Sequence, residues 1–467
     1  MTQSYNIALD TDSYKVSMWK QYPAGTEYVY SYIESRGGRW AETEFLGVQA
    51  LAKRLAETRV TRKDVEVANA IWTAHGEPFN YEGWMYIVEK LGGKLPLEIR
   101  AAKEGLIIPT KNVLCTIVNT DPNCFWLTTW VETMALRDIW YPTTVGTQSW
   151  QIKQIILSYL EKSGDPTTIS FKLHDFGARG VSSRESAGVG GAAHLVNFMG
   201  TDTMSGVLHV MDVYGGGVCG FSIPAAEHST ITSWGRDGEV DAYRNMVKQF
   251  GKKDAILAVV SDSYDIYKAC EMWGTELKDD VIQSGATVVI RPDSGDPVVV
   301  LPKMLRILEE NFGAPKNAKG YKVLNNVRVI WGDGINQTSI QSILRTVVDV
   351  MGFSADNIAF GMGGALLGAP QRDDLQFAMK CSAVCVNGIW REVYKDPITA
   401  SNKASKRGRV TLWESGGEYI SSVEKPTGWT DKGSEWKNAF ETYYLNGEQI
   451  FTSTFQEVRD RASKGRV

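Results

Sequence analysis

Residues 255–295 read AILAVVSDSYDIYKACEMWGTELKDDVIQSGATVVIRPDSG. Two short, continuous apolar runs, Ala255 to Val260 and Thr287 to Ile290, have the length and β-branched content of parallel strands covered on both faces. Each is followed at once by a polar cluster, Ser261-Asp262-Ser263 in the first case and Arg291-Pro292-Asp293-Ser294-Gly295 in the second. The segment between them is long enough for a helix, so the stretch reads as strand, loop, helix, strand.

The same rhythm extends in both directions, from about residue 150 to 380. Further strands are expected at Ile169 to Leu173, Val327 to Trp331 and Asn357 to Phe360. A helix is expected over Thr338 to Met351, where Ile340, Ile343, Leu344, Val347, Val348 and Met351 share a face and Gly352 stands at the stop position. His174-Asp175-Phe176-Gly177, Gly332-Asp333-Gly334 and Gly361-Met362-Gly363-Gly364 complete the set of polar clusters. In a parallel barrel or open α/β sheet such clusters converge on the carboxyl ends of the strands, where ligands bind. Asp and Gly also cap helices and make turns, an alternative that weakens as the clusters multiply.

The flanks differ. Short strands at Leu97 to Ala101 and Leu114 to Val118 mix with helices, and Asn387-Gly388 and Asn446-Gly447 are hairpin signals for type I′ turns. Trp126, Trp130 and Met134, within a helix expected over Phe125 to Trp140, have the spacing of core residues. The expected organisation is an α/β chain: a (β/α) barrel-like catalytic domain over 150–384, and an α+β sheet domain built from both ends, 1–149 with 385–467.

Composition narrows the function. The 467 residues are 43% hydrophobic and 22% charged, as in ordinary globular proteins. A net charge of −4 argues against nucleic acid as a partner. No run approaches the roughly 18 apolar residues of a membrane span. The six cysteines are scattered without CxxC pairing, and the start MTQSYNIALDTDSYK is acidic and polar, so a cytoplasmic location is expected. Five histidines without HxH or HExxH spacing disfavour a metallohydrolase, and no G-x-S-x-G elbow or Walker A loop is present.

What remains is anion chemistry. Arg179 lies four residues after Asp175, Arg291 lies next to Asp293, and the GMGG loop at 361–364 precedes Arg372 and Lys380. Guanidinium forks pair with phosphate oxygens, and glycines let backbone amides approach an anion. The interleaved carboxylates suit sugar hydroxyls or Mg²⁺. A phosphorylated sugar is the substrate class these residues suggest.

At these clusters the sequence resembles the type II phosphoribosyltransferases, in particular their nicotinamide-using branch. The resemblance is carried by TDSYK at 11–15, QYP at 21–23, KLHDFGARGVSS at 172–183, HLVNFMGTDT at 194–203, PAAEHSTIT at 224–232, VVSDSYDIY at 259–267, IRPDSG at 290–295, GDG at 332–334, and KDP and NK..SK.GR near Lys403. It runs almost end to end. It implies an irregular barrel with a second sheet domain, and transfer of the phosphoribosyl group of 5-phosphoribosyl 1-pyrophosphate to nicotinamide, with Mg²⁺. It also implies a homodimer whose active sites lie at the subunit boundary, and stimulation by ATP through phosphorylation of His228.

The resemblance further implies particular roles. Phe176, with Tyr14 of the partner chain, sandwiches the pyridine ring; Arg179 and Arg291 lie near the ring and ribose phosphate; Gly363 and Gly364 cradle that phosphate. Asp293 and Asp333 hold ribose hydroxyls, Asp262 supports the site near Mg²⁺, and Arg36, Arg372, Lys380 and Lys403 bind pyrophosphate. His174, Ser222 and Ala225 belong to the substrate site. His228, Asp293 and Arg291 form the catalytic group, and the metal ligands stay open. Asp202, with Asp12 of the partner, favours a neutral carboxamide over the carboxylate of nicotinate. Four positions depart from the better-known animal enzymes: Ala178 for tyrosine, Ala258 for serine, Ile223 for valine, and Met362 in GMGG for serine. The alternatives are a nicotinate phosphoribosyltransferase and a non-catalytic nucleotide-binding protein on the same fold.

Overall fold

A computed structural model describes residues 5–396, 405–428, 430 and 432–465. Contacts divide the chain into two compact units. One comprises the chain through Thr147, Asp212–Gly216 and the chain from Gln371 onward; the other comprises Gln148–Met211 and Gly217–Pro370. The sequence reading set its boundary at 384/385, inside the strand Phe377–Val386 that belongs whole to the first unit.

The second unit contains five parallel strands: β1 (Leu173–Asp175), β2 (Ile256–Val260), β3 (Thr287–Arg291), β4 (Val327–Trp331) and β5 (Ile358–Met362), in the order β1-β5-β4-β3-β2. The strands β2 to β5 fall on the expected apolar runs, and all four are mostly buried along their length. Two irregular segments complete a ring. Asp175 bridges Thr201 in parallel, Gly200 bridges Phe221, and Ala225 bridges Ala258 on β2. Backbone bonds hold these joints, Thr201 N to Phe221 O at 3.0 Å and Ala258 N to Pro224 O at 2.9 Å among them. The sheet therefore closes into the irregular (β/α) barrel that was expected. Ala258, Val289 and Ile330 pack together, with Phe176, Ile223 and Ala359 against them.

Local sequence explains the helices that follow. Asp265, Asp296 and Asn336 are N-caps of Ile266–Gly274, Pro297–Phe312 and Gln337–Leu344, each side chain accepting from backbone N–H groups of the first turn. Two readings need correction. Ile169 to Leu173 is mostly a 3-10 segment, Pro166–Phe171, because Asp165 caps it and Pro166 starts it; the strand begins only at Leu173. The helix expected over Thr338 to Met351 is α-helical to Leu344 and then widens to a π-helix over Arg345–Val350, ending where Gly352 adopts φ +73°.

The first unit is built around a seven-stranded antiparallel sheet in which Thr26–Ser35 lies between Phe377–Val386 and Val113–Asn119. Residues from both chain ends thus share one sheet, as expected. Asn387-Gly388 and Asn446-Gly447 are hairpin turns with φ +51° and +75°, and +51° and +88°. The helix read as Phe125 to Trp140 is broken at Val131 into Leu127–Trp130 and Glu132–Ser163. Trp126, Trp130 and Met134 are core residues, with Trp84 packed edge-on against both tryptophans at 5.1 and 5.2 Å.

Candidate active site

The polar clusters meet at the carboxyl ends of the barrel strands. Because the caps are supplied three residues later by Asp265, Asp296 and Asn336, the aspartates at 262, 293 and 333 are left for other work. Asp262 ties two loops together: its Oδ2 accepts from Asp293 N at 2.9 Å and from Ser294 Oγ at 2.5 Å. Asp293 in turn accepts from Arg291 Nη2 at 2.8 Å. His228 stands opposite, with Nδ1 3.1 Å from Ser263 Oγ and Nε2 3.6 and 3.7 Å from Asp262 Oδ1 and Asp293 Oδ2. His228, Asp262, Arg291 and Asp293 therefore form one constellation, and Ser263 and Ser294 join it. Neither serine has an expected role from the sequence alone.

Asp262 Oδ1 and Arg291 Nε are buried and have no hydrogen-bond partner. Buried polar atoms are nearly always satisfied, so both atoms are candidates for ligand contact, with His228 Nε2 3.6 Å from Asp262 Oδ1. Among the described residues no group of three or more His, Cys, Asp or Glu is arranged to hold a metal by itself. One or two carboxylates with the remaining positions taken by phosphate and water is the usual shell of Mg²⁺, and Asp262 fits it.

Beside this group lies an aromatic wall. Phe176 follows β1, its N–H bonded to Met362 O at 2.9 Å, and the Arg291 guanidinium lies 5.7 Å from its ring centroid. The ring crosses the backbone of Gly361 and Gly332. Gly363 opens the short helix Gly364–Leu367, and a Cβ on Gly364 would meet nothing within 4 Å, which leaves room for an anion. Gly180 packs on Gly364 so closely that a Cβ there would be 2.8 Å from its Cα. Arg179, on the turn Ala178–Gly180, is exposed, as is Asp333, whose carbonyl accepts from Trp331 Nε1 at 2.8 Å.

Asp202 ends one of the irregular segments. Its Oδ1 accepts from Ser222 Oγ at 2.5 Å, and its charge opposes the burial that pushes His174 below the ordinary histidine range. His174 and Ser222 line a cavity of about 600 Å³ inside the barrel, with Ile223 in its wall and Lys172 and Arg328 among its further lining. Ala225 contributes the backbone bridge to β2.

The remaining predicted residues belong to the first unit. Asp12 and Tyr14 flank Ser13 on a 3-10 turn, fastened by Thr133 Oγ1 donating to Asp12 Oδ2 at 2.6 Å and by a Lys15–Glu132 ion pair at 2.5 Å; Tyr14 is 58% exposed. Arg36 donates to Gln376 O at 3.3 Å, Arg372 reaches Asp373 at 3.4 Å, and Lys380 is an exposed residue of Phe377–Val386 opposite Tyr32. Lys403 lies outside the described residues.

Residues 171–448 match the family model of the nicotinate phosphoribosyltransferase (NAPRTase) family. The chain belongs to that family. Residues 6–99 match the N-terminal domain model of nicotinamide phosphoribosyltransferase. Among curated relatives, the nicotinamide phosphoribosyltransferase of Xanthomonas campestris pv. campestris is 54% identical, covering 99% of both chains. That of Acinetobacter baylyi is 30% identical, covering 97% of this chain and 96% of its own. The fold is shared with a nicotinate-nucleotide pyrophosphorylase from Pyrococcus furiosus (TM-score 0.65, 15% identity, 99% and 96% coverage) and with human nicotinic acid phosphoribosyltransferase (TM-score 0.60, 15% identity, 97% and 93% coverage).

Proposed function

We propose that this enzyme transfers the 5-phosphoribosyl group from 5-phosphoribosyl 1-pyrophosphate to nicotinamide, yielding nicotinamide mononucleotide and pyrophosphate, a step of NAD salvage. The observation that carries nicotinamide over nicotinate is Asp202. Ser222 occupies one carboxylate oxygen, and the other takes no hydrogen bond among the described residues. An open carboxylate oxygen accepts from a carboxamide N–H and repels a second carboxylate.

The reaction needs no general base. The pyridine nitrogen carries a free lone pair, which forms the bond to ribose C1 while the C1–O bond breaks and its electron pair leaves on pyrophosphate. The residues' task is to orient reactants and stabilise departing charge. Phe176 supplies a face for the ring, Arg291 and the 363–364 loop receive the ribose phosphate with Arg179 nearby, and Asp293 and Asp333 hold the ribose hydroxyls. Asp262 holds Mg²⁺, which when bound neutralises the charge developing on pyrophosphate. Arg36, Arg372, Lys380 and Lys403 bind that pyrophosphate, and Asp12 and Tyr14 complete the ring site of a partner subunit in a homodimer.

His228 is proposed to accept the γ-phosphoryl group of ATP: an N–P bond forms, the P–O bond to ADP breaks, and ADP leaves with the electrons. Its position between Ser263, Asp262 and Asp293 supports this role. Six free thiols fit a reducing cytoplasm, and no described helix is long and apolar enough to cross a membrane.

The test is pyrophosphate release with Mg²⁺, nicotinamide against nicotinate, each with and without ATP. Preference for nicotinate overturns the specificity reading, and no release with either base overturns the activity. Asp202→Asn should reduce the nicotinamide preference; an unchanged ratio sinks the Asp202 argument. His228→Ala should keep basal turnover and lose ATP stimulation, and a fully ATP-responsive variant would refute the phosphohistidine.

A further inference from the structure

Asp175 has no role in the chemistry above, yet it sits where β1 and β5 meet the irregular segment at Thr201. It is fully buried. It closes β1, in register with Met362 at the end of β5 and bridged to Thr201 on the other side. Its N–H donates to Gly200 O at 3.2 Å, and its carbonyl accepts from Asp202 N at 2.9 Å. Its side chain turns back on its own loop, with Oδ1 accepting from Gly177 N at 2.7 Å. That bond closes the turn around Phe176, the residue between the two partners. Oδ2 points toward the helix Arg184–Asn197, where a Cβ on Gly191 would lie 3.3 Å from it.

We infer that Asp175 is the positioning residue of the base subsite, setting the ring-facing Phe176 through its side chain and the amide-facing Asp202 through its backbone. The two groups that recognise opposite features of the base, its face and its substituent, hang from this one residue. Within the second unit, Asp262, Arg291, Asp293, Asp333 and the 363–364 loop come from β2 to β5 and their loops; of the phosphate-side residues only Arg179 follows β1, on the turn Ala178–Gly180 beyond the one that Asp175's side chain closes. A change at Asp175 should therefore fall on the base and spare the phosphoribosyl donor. An amide of the same shape keeps the oxygen that accepts from Gly177 N, so Asp175→Asn preserves the geometry.

This inference rests on the proposed function, and the experiment separates the two. Steady-state kinetics of pyrophosphate release are measured for the unaltered enzyme, Asp175→Asn and Asp175→Ala, varying nicotinamide and 5-phosphoribosyl 1-pyrophosphate in turn. Asn keeps an acceptor for Gly177 N and should hold the nicotinamide KM within about threefold, whereas Ala should raise it by about tenfold or more, the size of effect a lost hydrogen bond and a shifted ring contact produce together. The donor's KM should move less than threefold in both. An Ala variant that raises both KM values alike, or neither, overturns the inference, as does an Asn variant as impaired as Ala. If Ala does not fold, Asp175→Ser carries the same split. An unaltered enzyme inactive with nicotinamide overturns the proposed function as well; an active one without the split overturns only the role of Asp175.

Discussion

A methyl group added at Gly361 would stand 1.9 Å from Cε2 of Phe176. No real contact is that short, so Gly361→Ala must displace the ring. A displaced stacking partner loses about 0.5–1.5 kcal/mol of aromatic contact, so nicotinamide KM should rise roughly 3- to 10-fold, since about 1.4 kcal/mol is tenfold. Steady-state kinetics check this, and an unchanged nicotinamide KM would show that the ring does not face the base. Asp262, Arg291, Asp293 and Asp333 were legible because each is a charged residue at the end of an apolar run, whereas Asp12, Tyr14, Asp202, Ser222, Ala225 and His228 came only from the family resemblance. The roles of Gly361, Ser263 and Ser294 were not legible. A glycine after a strand reads equally as a turn, and only the tertiary approach of Phe176 from β1 gives this one its reason.

Three of the barrel loops carry two polar residues three apart: Asp262 and Asp265, Asp293 and Asp296, Asp333 and Asn336. The second of each pair caps a helix, and the pairs at 262 and 293 put the first into the site. Paired substitutions should separate the tasks. Asp296→Ala loses a cap worth about 1 kcal/mol, and should lower the melting temperature by about 2–4 °C with kcat/KM within twofold. Asp293→Ala should cost at least about 100-fold in kcat/KM, as loss of a transition-state interaction of roughly 3 kcal/mol does, with a smaller thermal effect. Equal catalytic losses would mean the pairs act as one unit. The strands β2 and β3 were readable because a buried strand needs a continuous apolar run, and β4 because only Arg328 interrupts its run. The segment before β1 was misread because Ile169, Phe171 and Leu173 alternate with Ser170 and Lys172 in the period of a strand, while Asp165-Pro166 carried the competing instruction for a 3-10 turn.

At the scale of the whole chain, the closure of the barrel and the shared sheet follow from opposite kinds of signal. Hairpin turns such as Asn387-Gly388 announce the sheet locally, whereas the segments at 199–202 and 221–225 close the ring through a few backbone bonds with glycine and proline present, and resemble loops in sequence. Closure and compactness bury acids, and this gives a pH signature. Asp175 is pushed up to about 6 by burial, with Asp202 adding to it; Glu104 is also raised, burial outweighing the N–H groups of Gly47 and Gln49, the Tyr214 hydroxyl and the charge of Arg461. An acid whose folded pKa lies above its unfolded value is bound to more protons in the folded state. Its contribution is therefore most favourable below the unfolded value near 4 and is lost as pH rises through the folded value. For Asp175 two pH units correspond to about 3 kcal/mol. Exposed acids such as Asp165, Glu435 and Glu457 are shifted down and act in the opposite sense, so the wild-type profile alone does not isolate the effect. The difference does. The melting temperature of Asp175→Asn relative to wild type should rise between pH 4 and 6.5, since the amide cannot ionise, and level off above. Glu104→Gln should change in the same sense, reduced by the loss of a charge-assisted acceptor for Gly47 N and Tyr214. A constant difference across that range for Asp175→Asn would mean that its carboxyl ionises in the folded protein as freely as in water.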